Sequence, residues 1–155
     1  RPALLVRRSG RDPGDPGEPG GLGWWKEGGH AHQTYTAEEI EGFLVTAGDS
    51  CWFSVSTIPE MYGLLDAATG PPPGRFRGEY LVLRLNLSAG KLNPAYLYDV
   101  SDNDGGDYLG FFGYASYPHI AVQDIIKAIE AKCNTSPDKD GFEVMKDICE
   151  DLNNA

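Results

Sequence analysis

Near the C-terminus, apolar residues recur at the spacing of one helix face. Val144, Met145, Ile148 and Leu152 line a segment over 142–152, and 122–132 also reads as a helix. Upstream, Thr36-Ala37-Glu38-Glu39 is a helix start, with a Thr cap and a Glu at the third helical position, and predicts a short helix through Phe43 and Leu44. Pro59 opens another helix over 60–68, placing Met61, Leu64, Leu65 and Ala68 on one side. Elsewhere the pattern has period two. Bulky apolar residues alternate with Arg84 and Asn86 from Tyr80 to Leu87, predicting the clearest strand of the chain. Further strands are expected at 2–8, 51–56, 93–100 and 111–116. Residues 12–23, with Gly14, Gly17 and Gly20 in register and prolines between them, read as a polyproline-like surface loop. Pro71-Pro72-Pro73-Gly74 is a break, and Asp102 to Asp107 an acidic turn. The order is mixed, with no internal repeat. It predicts one α+β domain over 1–155, a mixed β core of short strands with a few peripheral helices, ending in a short helical segment at about 132–155.

The composition fits one domain. A chain of 155 residues with 41% hydrophobic and 11% aromatic content can bury a sizeable core. Its net charge of −10 repels phosphate backbones, so no nucleic-acid partner is expected. No apolar run approaches the roughly 20 residues of a membrane-spanning helix. An acidic surface suits a basic or neutral protein partner, and the absence of a heptad pattern makes a monomer the expectation.

The three cysteines leave two alternatives, one bridge or three reduced thiols. If the chain is exported, Cys133 and Cys149, close together near the C-terminus, are the expected pair. Cys51, beside Trp52 and Phe53, then reads as a small buried hydrophobe. The sequons at Asn86 and Asn134 are compatible with export and common by chance. His30 and His32 could share one face of a strand as metal ligands, but no further Cys/His cluster lies nearby. The acidic turn lacks the ligand pattern of a calcium loop. Trp24-Trp25 could stack on a ligand base or anchor a loop.

Arg7-x-Ser9-x-Arg11-x-Pro13, followed by Gly20-Gly21-Leu22, resembles the start of the catalytic A subunit of the heat-labile enterotoxin and cholera toxin family. Ser54-Val55-Ser56-Thr57, after Trp52-Phe53, resembles that family's Ser-Thr-Ser strand, with Val55 at the central Thr. Tyr80 to Leu85 is similar in character to its following strand, and Pro118 to Ala121 with Gln123 to Ile126 to the segment after the catalytic glutamates. The resemblance spans roughly residues 3 to 130 and implies an ADP-ribosyltransferase fold. It implies NAD held by Arg7, Ser9, Arg11, Ser54 and Ser56, with Arg7, Ser54 and Ser56 as candidate catalytic residues. The cation would grip the dinucleotide, and a carboxylate would stabilise the oxocarbenium-like transition state.

That carboxylate is where the pattern departs. The family glutamates fall near Phe111 and Gly113, and residues 109–117 hold no acid. The expectation is therefore a secreted toxin- or effector-like protein that has lost its catalytic Glu and acts by binding a host protein. One alternative is an active NAD-dependent mono-ADP-ribosyltransferase or NAD glycohydrolase, with Asp107 or Glu79 as the displaced acid. The other is an unrelated acidic α+β interaction domain. The short segment after Lys132 does not suggest docking to a pentameric B subunit.

Overall fold

The computed structural model describes residues 12–100 and 119–155. Helices carry most of these residues, and two small antiparallel sheets complete the α+β arrangement. The chain enters as a Pro/Gly strap over 12–21, then makes two short helical turns, α1 (Leu22–Trp25) and α2 (Ala31–Thr34). The strap is pinned to the body rather than lying loose on it. Asn93 Nδ2 donates to the carbonyls of Asp12 (2.8 Å) and Asp15 (3.0 Å), and the Glu18 N–H donates to the Lys91 carbonyl (2.9 Å). Gly17 bridges to Leu92 at a φ of +91°, a conformation that a side chain would strain.

Helix α3 (Ala37–Ala47) begins where its local chemistry predicts. Thr36 Oγ1 accepts the Glu39 N–H at 3.1 Å, and Glu39 Oε1 accepts the Thr36 N–H at 2.9 Å. The same reciprocal cap, from Thr57 and Glu60, opens α4 (Ile58–Asp66), with Pro59 in its first turn. A 3₁₀ turn at Ala67–Thr69 carries α4 to the proline break. Met61, Leu65 and Ala68 are buried as expected, and Leu64 is half-buried.

The next element corrects the sequence reading. Residues 80–87, expected as a strand, belong to helix α5 (Gly74–Ser88). Phe76, Tyr80 and Leu83 pack into one apolar cluster, and Leu81, Val82 and Leu85 into another. A helix buried on both sides carries no polar stripe, so its 3.6-residue period disappears from the sequence. Arg84 and Asn86, two apart in an apolar run, then imitate a strand's alternation. The expected β core with peripheral helices is thereby inverted: among the described residues, a helix holds the centre.

The strand expected over 51–56 contracts to a tight hairpin. β1 (Asp49–Ser50) pairs with β2 (Phe53–Ser54), and Cys51 and Trp52 form the turn. Within 93–100 only β3 (Leu97–Asp99) is a strand, pairing antiparallel with β4 (His119–Ala121) so that Tyr98 faces Ile120. Helices α6 (Val122–Ala131) and α7 (Lys139–Asn153) form where helices were expected, with Met145, Ile148 and Leu152 of the expected α7 face buried, and Asp138 Oδ1 caps α7 through the Gly141 N–H at 2.8 Å. The second cluster joins α5 to α1, α3 and α4, and the first joins it to β3, α6 and α7. The strands expected at 2–8 and 111–116 and the acidic turn at 102–107 lie outside the described residues.

Candidate functional site

Among the described residues, two polar constellations are built into this helical core, and of their members sequence reasoning had given a catalytic role only to Glu79. The first lies where α3, α5, α6 and the hairpin meet. Arg84 projects from α5 and closes the C-terminal end of α3. Its Nε donates to the Ala47 carbonyl (2.9 Å), and Nη2 donates to those of Thr46 (2.9 Å) and Asp49 (2.8 Å). A guanidinium suits this place because the last carbonyls of a helix have no intrahelical partner and carry partial negative charge. Nη1 donates to the Tyr80 hydroxyl (3.3 Å) and lies 3.9 Å from Glu130 Oε2.

Glu130, from α6, gathers the remaining groups. Its Oε2 accepts the hydroxyls of Tyr80 and Ser50, each at 2.6 Å, and its Oε1 accepts the Cys51 N–H at 3.3 Å. Burial, and then the bond to Glu130, push the Tyr80 phenol far above its ordinary range, which favours the protonated form that donates to Glu130. A pocket of about 150 Å³ adjoins Arg84, lined also by Thr46, Ala47, Leu87, Ser88 and Ile126. Sites for drug-sized ligands run from roughly 300 to 1,000 Å³, so this pocket suits a small group and not a dinucleotide.

The second constellation joins the strap to α5 and α7. Asn86 is fully buried and uses both ends of its amide. Its Oδ1 accepts the Gly20 N–H (2.8 Å) and the Trp25 Nε1–H (3.0 Å), while Nδ2 donates to the Gly20 carbonyl (2.8 Å) and to Asn153 Oδ1 (3.0 Å). Asn153 Nδ2 donates in turn to the Glu79 carbonyl (3.0 Å) and to Glu79 Oε1 (3.1 Å). Trp25 is a buried anchor, one of the two roles expected for the tryptophan pair. Nothing in a single sequence separates Asn86 from a surface asparagine except its place in an apolar run.

Of the residues predicted to hold NAD, Ser54 and Ser56 are among those described. Arg7, Ser9 and Arg11 lie outside the described residues, as does Asp107. Ser54 is exposed on β2. Ser56 is exposed after the hairpin, and its N–H and hydroxyl donate to Glu60 Oε1 at 3.1 and 3.2 Å, extending the α4 cap. Glu79, a candidate displaced acid, lies within the Asn153 network. Burial raises its pKa more than the Asn153 bond lowers it.

The expected cysteine pairing is wrong. The bridge joins Cys51 to Cys133, with Cα atoms 6.2 Å apart, and Cys149 is a free thiol buried in α7. The reading of Cys51 as a buried hydrophobe fails with it: Cys51 is exposed at the hairpin turn, and Cys149 has that role. Position in the sequence misleads because α7 turns Cys149 toward the core, while Cys133 ends the helical run facing the hairpin. His30 and His32 do not share a strand face. His32 lies in α2, with Nε2 3.1 Å from the Trp25 carbonyl and the Tyr62 hydroxyl 3.2 Å from its ring nitrogens. Among the described residues, no group of three or more His, Cys, Asp or Glu is arranged to hold a metal ion, and no helix is long and apolar enough to cross a membrane. The chain matches no family model, no curated protein and no solved structure.

Proposed function

We propose that this chain is an acidic, disulfide-stabilised binding domain of an oxidising compartment, acting by engaging a protein partner rather than by turning over NAD. The observation that carries this reading is the commitment of its reactive-type groups. Arg84 directs its donors at three backbone carbonyls and at Tyr80. Glu130 is occupied by two hydroxyls and an amide, and Ser56 is part of a helix cap. Groups held this way stiffen a scaffold. The Cys51–Cys133 bridge suits an exported protein, since thiols stay reduced in the cytosol. The charge of −10 favours a basic or neutral partner, and α7 contributes to it with exposed Asp140 and Asp151 and half-exposed Glu143, Asp147 and Glu150.

Of the segments on which the enterotoxin-like reading rests, Tyr80 to Leu85 belongs to helix α5 rather than to a strand, Ser54 and Ser56 lie exposed at and after β2, and residues 1–11 and the segment around Phe111 lie beyond the described residues. A single experiment separates the two. NAD is added to the full chain, and nuclear magnetic resonance follows ligand line broadening and nicotinamide release together. The binding-domain reading expects no release from folded protein. Release that vanishes in Arg7→Ala or Ser56→Ala would overturn it and establish a transferase-type site. Mass tagging of thiols tests the compartment: protein from an oxidising compartment, denatured without reductant, should take a tag on Cys149 alone.

A further inference from the structure

Chain length alone favours a different disulfide from the one this fold contains. Cys133 and Cys149 are 16 positions apart, whereas Cys51 and Cys133 are separated by 82. In an unstructured chain, the three-halves power of that length ratio favours the shorter ring roughly tenfold. The native bond is nevertheless the long one.

We propose that Glu130 is the positioning residue that selects this pairing, by docking the β1–β2 turn onto the end of α6 before the bond forms. Glu130 stands one helical turn before Cys133, and the 3₁₀ turn Lys132–Asn134 continues α6, so carboxylate and thiol share one short rigid segment. The carboxylate binds the two residues that present the other thiol: the Ser50 hydroxyl at 2.6 Å and the N–H of Cys51 itself at 3.3 Å. From α5, the Tyr80 hydroxyl holds the same carboxylate oxygen at 2.6 Å, so the acceptor is aimed before the hairpin arrives. The neighbouring carbonyl of Ile129 accepts the Trp52 Nε1–H at 2.9 Å, completing a dock for Ser50 and both turn residues. On the competing side, α7 keeps Cys149 fully buried.

The oxidation needs an external disulfide, for which glutathione disulfide serves. A Cys51 or Cys133 thiolate attacks it and releases one glutathione thiolate. The second cysteine thiolate then attacks the protein sulfur of the mixed disulfide, forming the Cys51–Cys133 bond and releasing the second glutathione. Two electrons pass to glutathione disulfide, and the two thiol protons end on the released glutathiones. Glu130 is not consumed; it fixes which two thiols meet.

The test is oxidative refolding of the reduced, denatured chain in glutathione buffer, acid-quenched over time, with pairings mapped by peptide mass spectrometry. In the unaltered chain, Cys51–Cys133 should dominate the earliest singly bridged species. Glu130→Ala should shift that early ratio toward Cys133–Cys149 by roughly the tenfold loop-length bias. Glu130→Gln, which keeps a carbonyl acceptor, should shift it less. Ser50→Ala removes one docking bond and leaves Glu130 in place, so a smaller shift in the same direction is expected. An unchanged early ratio in Glu130→Ala overturns the proposal. So does an equal shift in Leu65→Ala, a core variant outside the cluster that holds Tyr80 and Ile129 and with no part in the dock's hydrogen bonds, because general destabilisation would then account for the effect. Should Glu130→Ala fail to fold, Ser50→Ala decides, and an unchanged ratio there refutes the assignment.

Discussion

Replacing Asn86 by leucine keeps the approximate size of the side chain and removes four hydrogen bonds at once. The Trp25 indole N–H, both backbone groups of Gly20 and Asn153 Oδ1 would lose their partner in a place closed to water. Each stranded buried polar group costs about 1–3 kcal/mol, so a total loss of at least about 4 kcal/mol is expected, read as a fall in the urea midpoint. Two glutamates respond to acid in opposite senses. Glu79 has a raised pKa, chiefly from burial, so the folded state binds its proton more tightly than the unfolded chain does. Its contribution to stability is fully present below the unfolded pKa and is lost as pH rises through the folded one. Glu79→Gln keeps the Asn153 contact without the buried charge, and should raise stability at neutral pH while leaving it nearly unchanged in acid. Glu60 is the reverse case. Hydrogen bonds from Ser56 and Thr57 lower its pKa, the Ser56 N–H leading, so its contribution is present above the unfolded pKa and lost as pH falls through the folded value. Thermal melts across the acid range, on the wild type, Glu79→Gln and Glu60→Gln, check both signs.

At the scale of the element, α5 decides the architecture, and one of its glycines shows how closely it is packed. A Cβ on Gly78 would run into the Cβ of Ala68 in the 3₁₀ turn after α4. Alanine is favoured over glycine in a helix by about 1 kcal/mol, whereas overpacking a tight contact costs about 1–3 kcal/mol. The packing effect is the larger, so Gly78→Ala should destabilise despite its better propensity. Ala68→Gly in that background should recover part of the loss, which a double-mutant cycle would measure. The capped helices behave differently, since their start signals are local. Thr57→Ala should cost about 1 kcal/mol, because the Glu60 N–H loses its acceptor. The Thr36 cap was legible because donor and acceptor lie within one turn of chain, and the same local signal at Thr57 and Glu60 was masked by reading 51–56 as a strand. Helix α5 was not legible, because the partners that bury both its sides come from α1, α3 and α4 before it and β3, α6 and α7 after it.

Over the whole molecule, the Cys51–Cys133 bond ties the N-terminal hairpin to the end of α6 across 82 residues. A ring of that length stabilises by about 4 kcal/mol through the entropy it removes from the unfolded chain. Cys133→Ser should lower the melting temperature correspondingly, and reduction should match it in the wild type while leaving Cys133→Ser unaffected. The sequence by itself determined what depends on near neighbours: the capping box at Thr36, the helix opened by Pro59, the proline break before Gly74, the apolar face of α7, and the acidic balance. Its period-two alternation over 80–87 predicted a strand where the chain forms helix α5. Only the tertiary structure decided that this segment is a helix, that Cys51 rather than Cys149 reaches Cys133, and that Asn86 lies at the centre of a buried network. The reason is physical. Caps and helix faces are fixed by interactions between residues three or four apart, whereas a helix buried all round, a long-range disulfide and a satisfied core amide are fixed by partners whose approach depends on the packing of the entire chain.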